Sequence, residues 1–221
     1  KGLIYEGFKV MPYSWKAETV LSNAEIRLDD ATREKTDKAV TVAFRLKERP
    51  KGAPEADAYY ALAWTTTPWT LPSNLALAAS QALAYGAVVV GGSCLILSES
   101  SLGFYQQTLG LEPRHPDTEK GKGDPSGSQR TEAAVTSLDG KELIGLEYEP
   151  LFPYFADHPG AFRVLDGSDF IEEGAGSGVV HMAPGFGEDD QRVCEQAGIA
   201  TLCPVDEQGR YTAEIVDLTR I

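Results

Sequence analysis

Tyr59-Tyr60-Ala61-Leu62-Ala63-Trp64-Thr65-Thr66-Thr67-Pro68-Trp69-Thr70-Leu71-Pro72-Ser73-Asn74 is the stretch on which the reading of this chain turns. Its first six residues are a dense apolar run, consistent with a β-strand covered on both faces. Three threonines follow, and Pro68 then denies the ladder its next N–H, so the strand ends in a turn. A strand end that releases hydroxyls into a turn suits the presentation of polar groups to a ligand. The plainer reading is a β-favouring threonine run whose hydroxyls bond nearby backbone. The residues alone leave both open.

Working outward, more short strands appear. Val40, Val42, Phe44 and Leu46 alternate with polar or small residues, the period-2 pattern of a half-buried strand. Tyr85–Val90 and Cys94–Leu97 are joined by Gly91-Gly92-Ser93, a hairpin signal. Ser98–Leu109 reads as a short helix, with Ser98 or Ser100 as its cap and Gly110 as its stop. Residues 112–130, rich in Pro, Gly, Ser and charge, read as a flexible loop. Strand character resumes at Thr131–Thr136, Ala161–Leu165 and Gly178–His181. A second helix is expected over Glu188–Ala197, with Val193, Cys194 and Ala197 inward and Gly198 closing it. Asp206-Glu207-Gln208-Gly209 reads as a turn. There is no internal repeat. Together these elements predict an α+β, mainly β domain, β-barrel-like with a few short helices.

A second segment also needs explaining: Gly176-Ser177-Gly178-Val179-Val180-His181-Met182-Ala183-Pro184-Gly185-Phe186-Gly187-Glu188-Asp189-Asp190. A glycine-flanked strand delivers His181, a turn of small residues follows, and three acids open a helix. Acids in a first turn commonly offset the helix dipole, and an interior histidine is commonly a hydrogen-bonded core residue. The glycines form no phosphate cradle, since GxxxxGK[ST] is absent and adjacent carboxylates repel phosphate. HExxH and GxSxG are absent too.

Composition narrows the field. Lys and Arg number 20 against 33 Asp and Glu, a formal charge of −13 over 221 residues. That balance disfavours a basic nucleic-acid reader. At 42% hydrophobic and 24% charged, the chain has the composition of a globular protein. No apolar run approaches a membrane span. Lys1-Gly2-Leu3-Ile4-Tyr5 lacks both a signal-peptide profile and an initiator Met, so a fragment of a longer polypeptide is expected. Cys94, Cys194 and Cys203 are odd in number and unpaired in spacing, which argues against disulfides or a zinc site and for interior thiols in a reducing cytoplasm. His115, His158 and His181 have no paired spacing, so no metal and no cofactor are expected.

Separately the two segments say little; together they carry a resemblance. Trp64–Asn74 resembles the threonine-rich motif of isoleucyl-tRNA synthetases, and Gly176–Asp190 resembles the His-Met-Ala-Pro…Gly-Glu-Asp-Asp segment of the same family. Gly2-Leu3-Ile4-Tyr5 with Lys9–Ser14, Leu21-Ser22-Asn23-Ala24-Glu25 and Gly140–Leu146 fit as well. The similarity runs along the chain and lapses over residues 112–130. Sister enzymes for valine and leucine carry an Arg after the paired Thr, whereas Thr67-Pro68-Trp69-Thr70 points to the isoleucine branch. The HIGH- and KMSKS-type motifs of the aminoacylation site are missing. What the resemblance implies is a single editing domain (CP1) over residues 1–221, excised from the longer enzyme.

It further implies a task. One methylene in an apolar pocket is worth only ~1–3 kcal/mol, a limit for which isoleucine against valine is the standing example. The family answers with a second sieve that hydrolyses valine from isoleucine tRNA. By resemblance, Asp190 binds the α-ammonium, and Thr65, Thr66 and Thr67 hold the ester or the attacking water. His181 gates side-chain size, with general base as its second reading. Trp64, Thr70 and Asn74 line the substrate pocket. Asp190 is expected to be ionised at neutral pH. The partners implied are the 3′ end of valine-mischarged isoleucine tRNA, a valine or valyl-adenylate moiety, and the remainder of the synthetase. Rival readings are hydrolysis of valyl-adenylate before transfer, and a non-catalytic module that binds the tRNA 3′ end.

Overall fold

The computed structural model describes residues 4, 7–29, 31, 33–34, 36–109 and 134–216. In chain order the strands and helices are β1 (Tyr13–Ser14), β2 (Thr19–Val20), β3 (Val40–Leu46), β4 (Ala58–Thr65), β5 (Ala76–Ala79), β6 (Ala84–Val90), β7 (Ser93–Ser98), α1 (Leu102–Leu109), β8 (Val135–Asp139), β9 (Val164–Asp166), β10 (Val179–Met182) and α2 (Glu188–Gln196). A five-stranded sheet runs β3-β4-β7-β6-β8, a three-stranded one β10-β5-β9, and β1 pairs only with β2. Both larger sheets are open among the described residues, so the fold is mainly β with short helices rather than a closed barrel.

The dense run Tyr59–Trp64 becomes β4, an inner strand, antiparallel to β3 from Val40↔Thr65 to Leu46↔Tyr59 and parallel to β7 from Ala58↔Ser93 to Ala61↔Ile96. The expected hairpin joins β6 to β7, with Val90 opposite Ser93 and the turn at Gly91 and Gly92. Both glycines take positive φ, +57° and +84°, which is what a two-residue turn of the twist-matched type requires. β5 is buried at all four residues, Ala-Leu-Ala-Ala, so β9 and β10 close over a thin, apolar centre strand. The core beside it holds Phe44, Tyr148 and Phe162, whose rings meet edge to face at 5.4 and 5.8 Å.

Several expectations shift. Strand pairing resumes at Val135; residues 131–133, the 112–130 loop and Gly110 lie outside the described residues. The strand expected over Ala161–Leu165 is β9, three residues later in its start, because Phe162 takes φ +60° and bends the backbone before Val164. A 3-10 turn at Glu99–Ser101 precedes α1, and the Ser98 hydroxyl bonds those of Ser100 and Ser101 instead of capping. In α2 Val193 and Cys194 point inward, and Gly198 follows at φ +76°. Cys94 and Cys194 are buried, but Cys203 is exposed, lying in an irregular segment at a surface cleft and not in the core. No helix among the described residues is long and apolar enough to cross a membrane.

Candidate functional site

The two segments meet because β7 leaves β4 early. Beyond Ala61↔Ile96 the β4 ladder has no β7 partner, and the open edge turns to the strand of the other sheet. There Trp64 N–H donates to the Ser177 hydroxyl at 3.1 Å, and Ser98 N–H donates to the Ser177 carbonyl at 2.8 Å. Gly176 and Gly178 make the approach possible. Each has positive φ, and an added Cβ would stand 3.1 Å from the Trp64 ring and 2.4 Å from Ser98, respectively. The threonine run therefore ends beside the start of β10, which carries His181.

Past β4 the chain folds into a 3-10 turn, Pro68–Ser73, with Pro68 in its first position, where no N–H is needed. Alternation along the strand end buries Thr65 and exposes Trp64 and Thr66. The Thr65 hydroxyl accepts from Thr67 N–H at 3.1 Å and lies 3.3 Å from the Thr67 hydroxyl, so the backbone-bonding reading of the run holds for Thr65. Thr66 and Thr67 are exposed.

Behind them runs a directed chain of hydrogen bonds. Asn74 Nδ2 donates to the Ala76 carbonyl at 2.8 Å and lies 3.4 Å from the Met182 carbonyl, so two acceptors fix the amide's orientation. Its Oδ1 must then accept, and Tyr148, with no exposed surface, donates to it at 2.6 Å. At the other end the Thr70 hydroxyl donates to the Thr67 carbonyl at 2.8 Å. That proton being spent, Thr70 Oγ1 accepts from His181 Nε2 at 2.8 Å. Nδ1 is left as the acceptor facing Asn74 Nδ2 at 3.4 Å, where it shares the second amide N–H with the Met182 carbonyl at the same distance, the first N–H going to Ala76. The network thus assigns His181 the neutral Nε2–H tautomer. Burial pulls its pKa down to about 4, so the ring is uncharged at neutrality.

Asp190 stands in the first turn of α2, after Gly187. Its carboxylate accepts from Ala183 N–H at 2.8 Å, which ties the helix start to the end of β10, two residues past His181. Burial pushes its pKa up to about 6 against the opposing pull of that hydrogen bond. The margin between this value and pH 7 is about one unit, where the free carboxylate would have about three. A half-buried carboxylate with one hydrogen bond and no cationic partner among the described residues is suited to receive a cation.

Thr65, Thr67, Thr70, Asn74 and His181 are linked directly by hydrogen bonds, and Asp190 joins them through Ala183. Asn74 is interior, a member of the hydrogen-bond chain rather than an exposed wall. Trp69 meets Phe186 edge to face at 5.1 Å, bridging the 3-10 turn to the loop before α2, and its carbonyl accepts from the Tyr211 hydroxyl. A cleft of about 1040 Å³ shares Trp69, Gly185 and Phe186 with this region but is not lined by Thr65, Thr66, Thr67, Thr70, His181 or Asp190. Tyr148 and Ser177 were not singled out from sequence. A tyrosine in Glu147-Tyr148-Glu149 carries no motif, and only the fold brings it to Asn74.

Comparison with known proteins gives the family and the fold. The family model for tRNA synthetases class I (I, L, M and V) matches residues 1–210, and the chain belongs to that family. Within it, isoleucine–tRNA ligases are close relatives: that of Rickettsia felis is 47% identical and that of Rickettsia canadensis 48%, each over 99% of this chain. The chain spans about a fifth of their length, 19% and 18%. Among solved structures, GlLeuRS-CP1 superposes with a TM-score of 0.52 at 16% identity, covering 76% of this chain and 70% of that one. The editing domain of the P. knowlesi cytosolic leucyl-tRNA synthetase gives 0.50 at 12% identity, covering 72% of this chain and 64% of that one. The fold is that of these synthetase editing domains.

Proposed function

We propose that residues 1–221 act as one editing unit that hydrolyses the ester between valine and the terminal ribose of isoleucine tRNA. The observation that carries the proposal is the junction itself: a threonine turn, a neutral hydrogen-bonded histidine and a carboxylate with no cationic partner among the described residues, brought together at the meeting of two sheets. An aminoacyl ester is already activated, so no protein nucleophile is required. Water oxygen attacks the carbonyl carbon, the carbonyl–ribose C–O bond breaks, and the ribose oxygen takes up a proton, releasing valine and a free 3′ end. Asp190 holds the α-ammonium, and the exposed Thr66 and Thr67 hydroxyls hold water or the developing oxyanion.

His181 acts as the wall that admits valine and rejects isoleucine. A wall fits better than a base because both ring nitrogens are engaged, one donating and one accepting, and a pKa of about 4 makes a weak proton acceptor. The partners are the tRNA 3′ end, with valine as the discriminated moiety, and the rest of the synthetase. The same amino-acid pocket would accept valyl-adenylate, so the test is a side-by-side assay of this chain on Val-charged isoleucine tRNA and on valyl-adenylate. Faster turnover of the tRNA ester is expected. Hydrolysis of the adenylate alone would move the activity before transfer, and hydrolysis of neither would overturn the proposal.

A further inference from the structure

We propose that Tyr148 is a positioning residue for size selection, acting through Asn74 on the orientation and tautomer of His181; this rests on the editing reading above. Its ring sits between Phe44 and Phe162 with no exposure. Its O–H donates to Asn74 Oδ1. The direction cannot reverse: turning the amide over would set Oδ1 against the carbonyls of Ala76 and Met182, three acceptors together. Proton donation therefore runs one way, from Tyr148 to Asn74, from Asn74 to Nδ1 of His181, from Nε2–H to Thr70, and from Thr70 to the carbonyl of Thr67.

The weak link of this chain is its middle contact, since both bonds beyond His181 are 2.8 Å. The Asn74–His181 contact is long, 3.4 Å, while the bond from Tyr148 is short, 2.6 Å. Asn74 is thus anchored from the core side, and His181 is held between the Thr70 hydroxyl at 2.8 Å and an amide on its Nδ1 side that it touches only lightly. A wall that rejects a single methyl group must not rotate, so the anchor belongs to the specificity of the site. Burial raises the Tyr148 hydroxyl well above its usual range, which keeps it a donor at every working pH.

Tyr148→Phe deletes the hydroxyl and keeps the packed ring. Two readouts follow, one of them independent of activity. By ¹⁵N NMR of histidine-labelled protein, wild-type His181 should show a single Nε2–H tautomer, and Y148F a mixture. In deacylation, Y148F should keep Val-tRNA hydrolysis within about threefold while its preference for Val over Ile falls about tenfold or more. Phe44→Leu serves as the control, since it loosens the same ring without removing the hydroxyl. It should lower the melting temperature yet leave tautomer and preference unchanged. An unchanged tautomer and preference in folded Y148F, or equal effects from F44L, would overturn the inference. A wild type inert toward both esters would instead sink the editing reading, leaving the NMR result to judge the relay by itself.

Discussion

Two titratable side chains, the buried His181 and the half-buried Asp190, pull stability in opposite directions with pH. His181 is lowered from 6.5 to about 4, so the unfolded chain binds more protons between those values; its contribution is full above pH 6.5 and lost as pH falls toward 4. Asp190 is raised from 3.8 to about 6, so the folded chain binds more protons in that window, and ionisation costs the fold roughly 3 kcal/mol as pH rises through it. Asp190→Asn, which keeps an acceptor for Ala183 N–H, should therefore be more stable than wild type at pH 7.5 by about 1–3 kcal/mol, with the gain gone below pH 4. Chemical denaturation at both pH values checks this. The same substitution should cost a valine-bearing ligand ~1.5–3 kcal/mol of affinity. In wild type, affinity for a non-hydrolysable valyl-adenosine analogue should rise as pH climbs through about 6 and decline once the ammonium deprotonates near ~8. A flat profile would remove Asp190 from the ammonium site. His181→Ala should open the site to Ile-tRNA, whereas loss of Val-tRNA hydrolysis with no gain toward Ile-tRNA would make His181 a base.

The elements place these side chains by narrow tolerances. At Gly187, the residue before α2, φ is −131°, a value open to any side chain, yet an added Cβ would lie 2.6 Å from Asp190 Oδ1. Gly187→Ala should therefore displace the carboxylate while leaving the helix intact: weaker analogue binding with unchanged helical circular dichroism. Lost helicity would assign the glycine to the backbone instead. Replacing Thr65, Thr66 and Thr67 together by Ala should slow deacylation by ~2.7–4 kcal/mol of transition-state stabilisation. Because Thr65 is buried and bonds Thr67, some of the triple mutant's effect belongs to folding, and Thr66→Ala with Thr67→Ala alone is the cleaner variant. These elements were readable in advance where local pattern decides them. β4, the Gly91-Gly92 hairpin and α2 follow from apolar runs, turn glycines and first-turn acids. The start of β9 did not, because the left-handed Phe162 that delays it answers to bonds with Leu75 and Tyr148, both remote in sequence. The site was readable as two motifs, but not as one network: the donor that anchors Asn74 lies 74 residues away on an irregular strand edge.

At the scale of the whole chain, a net charge of −13 bears on the proposed meeting with a tRNA. An excess of acidic over basic residues disfavours phosphate pairing over a long footprint, which fits the proposal that only the single-stranded 3′ end is handled here. Binding of Val-charged tRNA by this chain should consequently depend weakly on salt, with a log–log slope no steeper than about −2, as for two or three phosphates. A steep slope would require a basic strip that the overall composition does not suggest. The central claim, that this domain is a sieve for valine on isoleucine tRNA, is met most directly by one comparison: single-turnover deacylation of Val- and Ile-charged isoleucine tRNA by the same preparation. Rapid loss of valine with isoleucine retained is the expected result. Equal rates on the two esters, or no hydrolysis of either above the spontaneous rate, would contradict it.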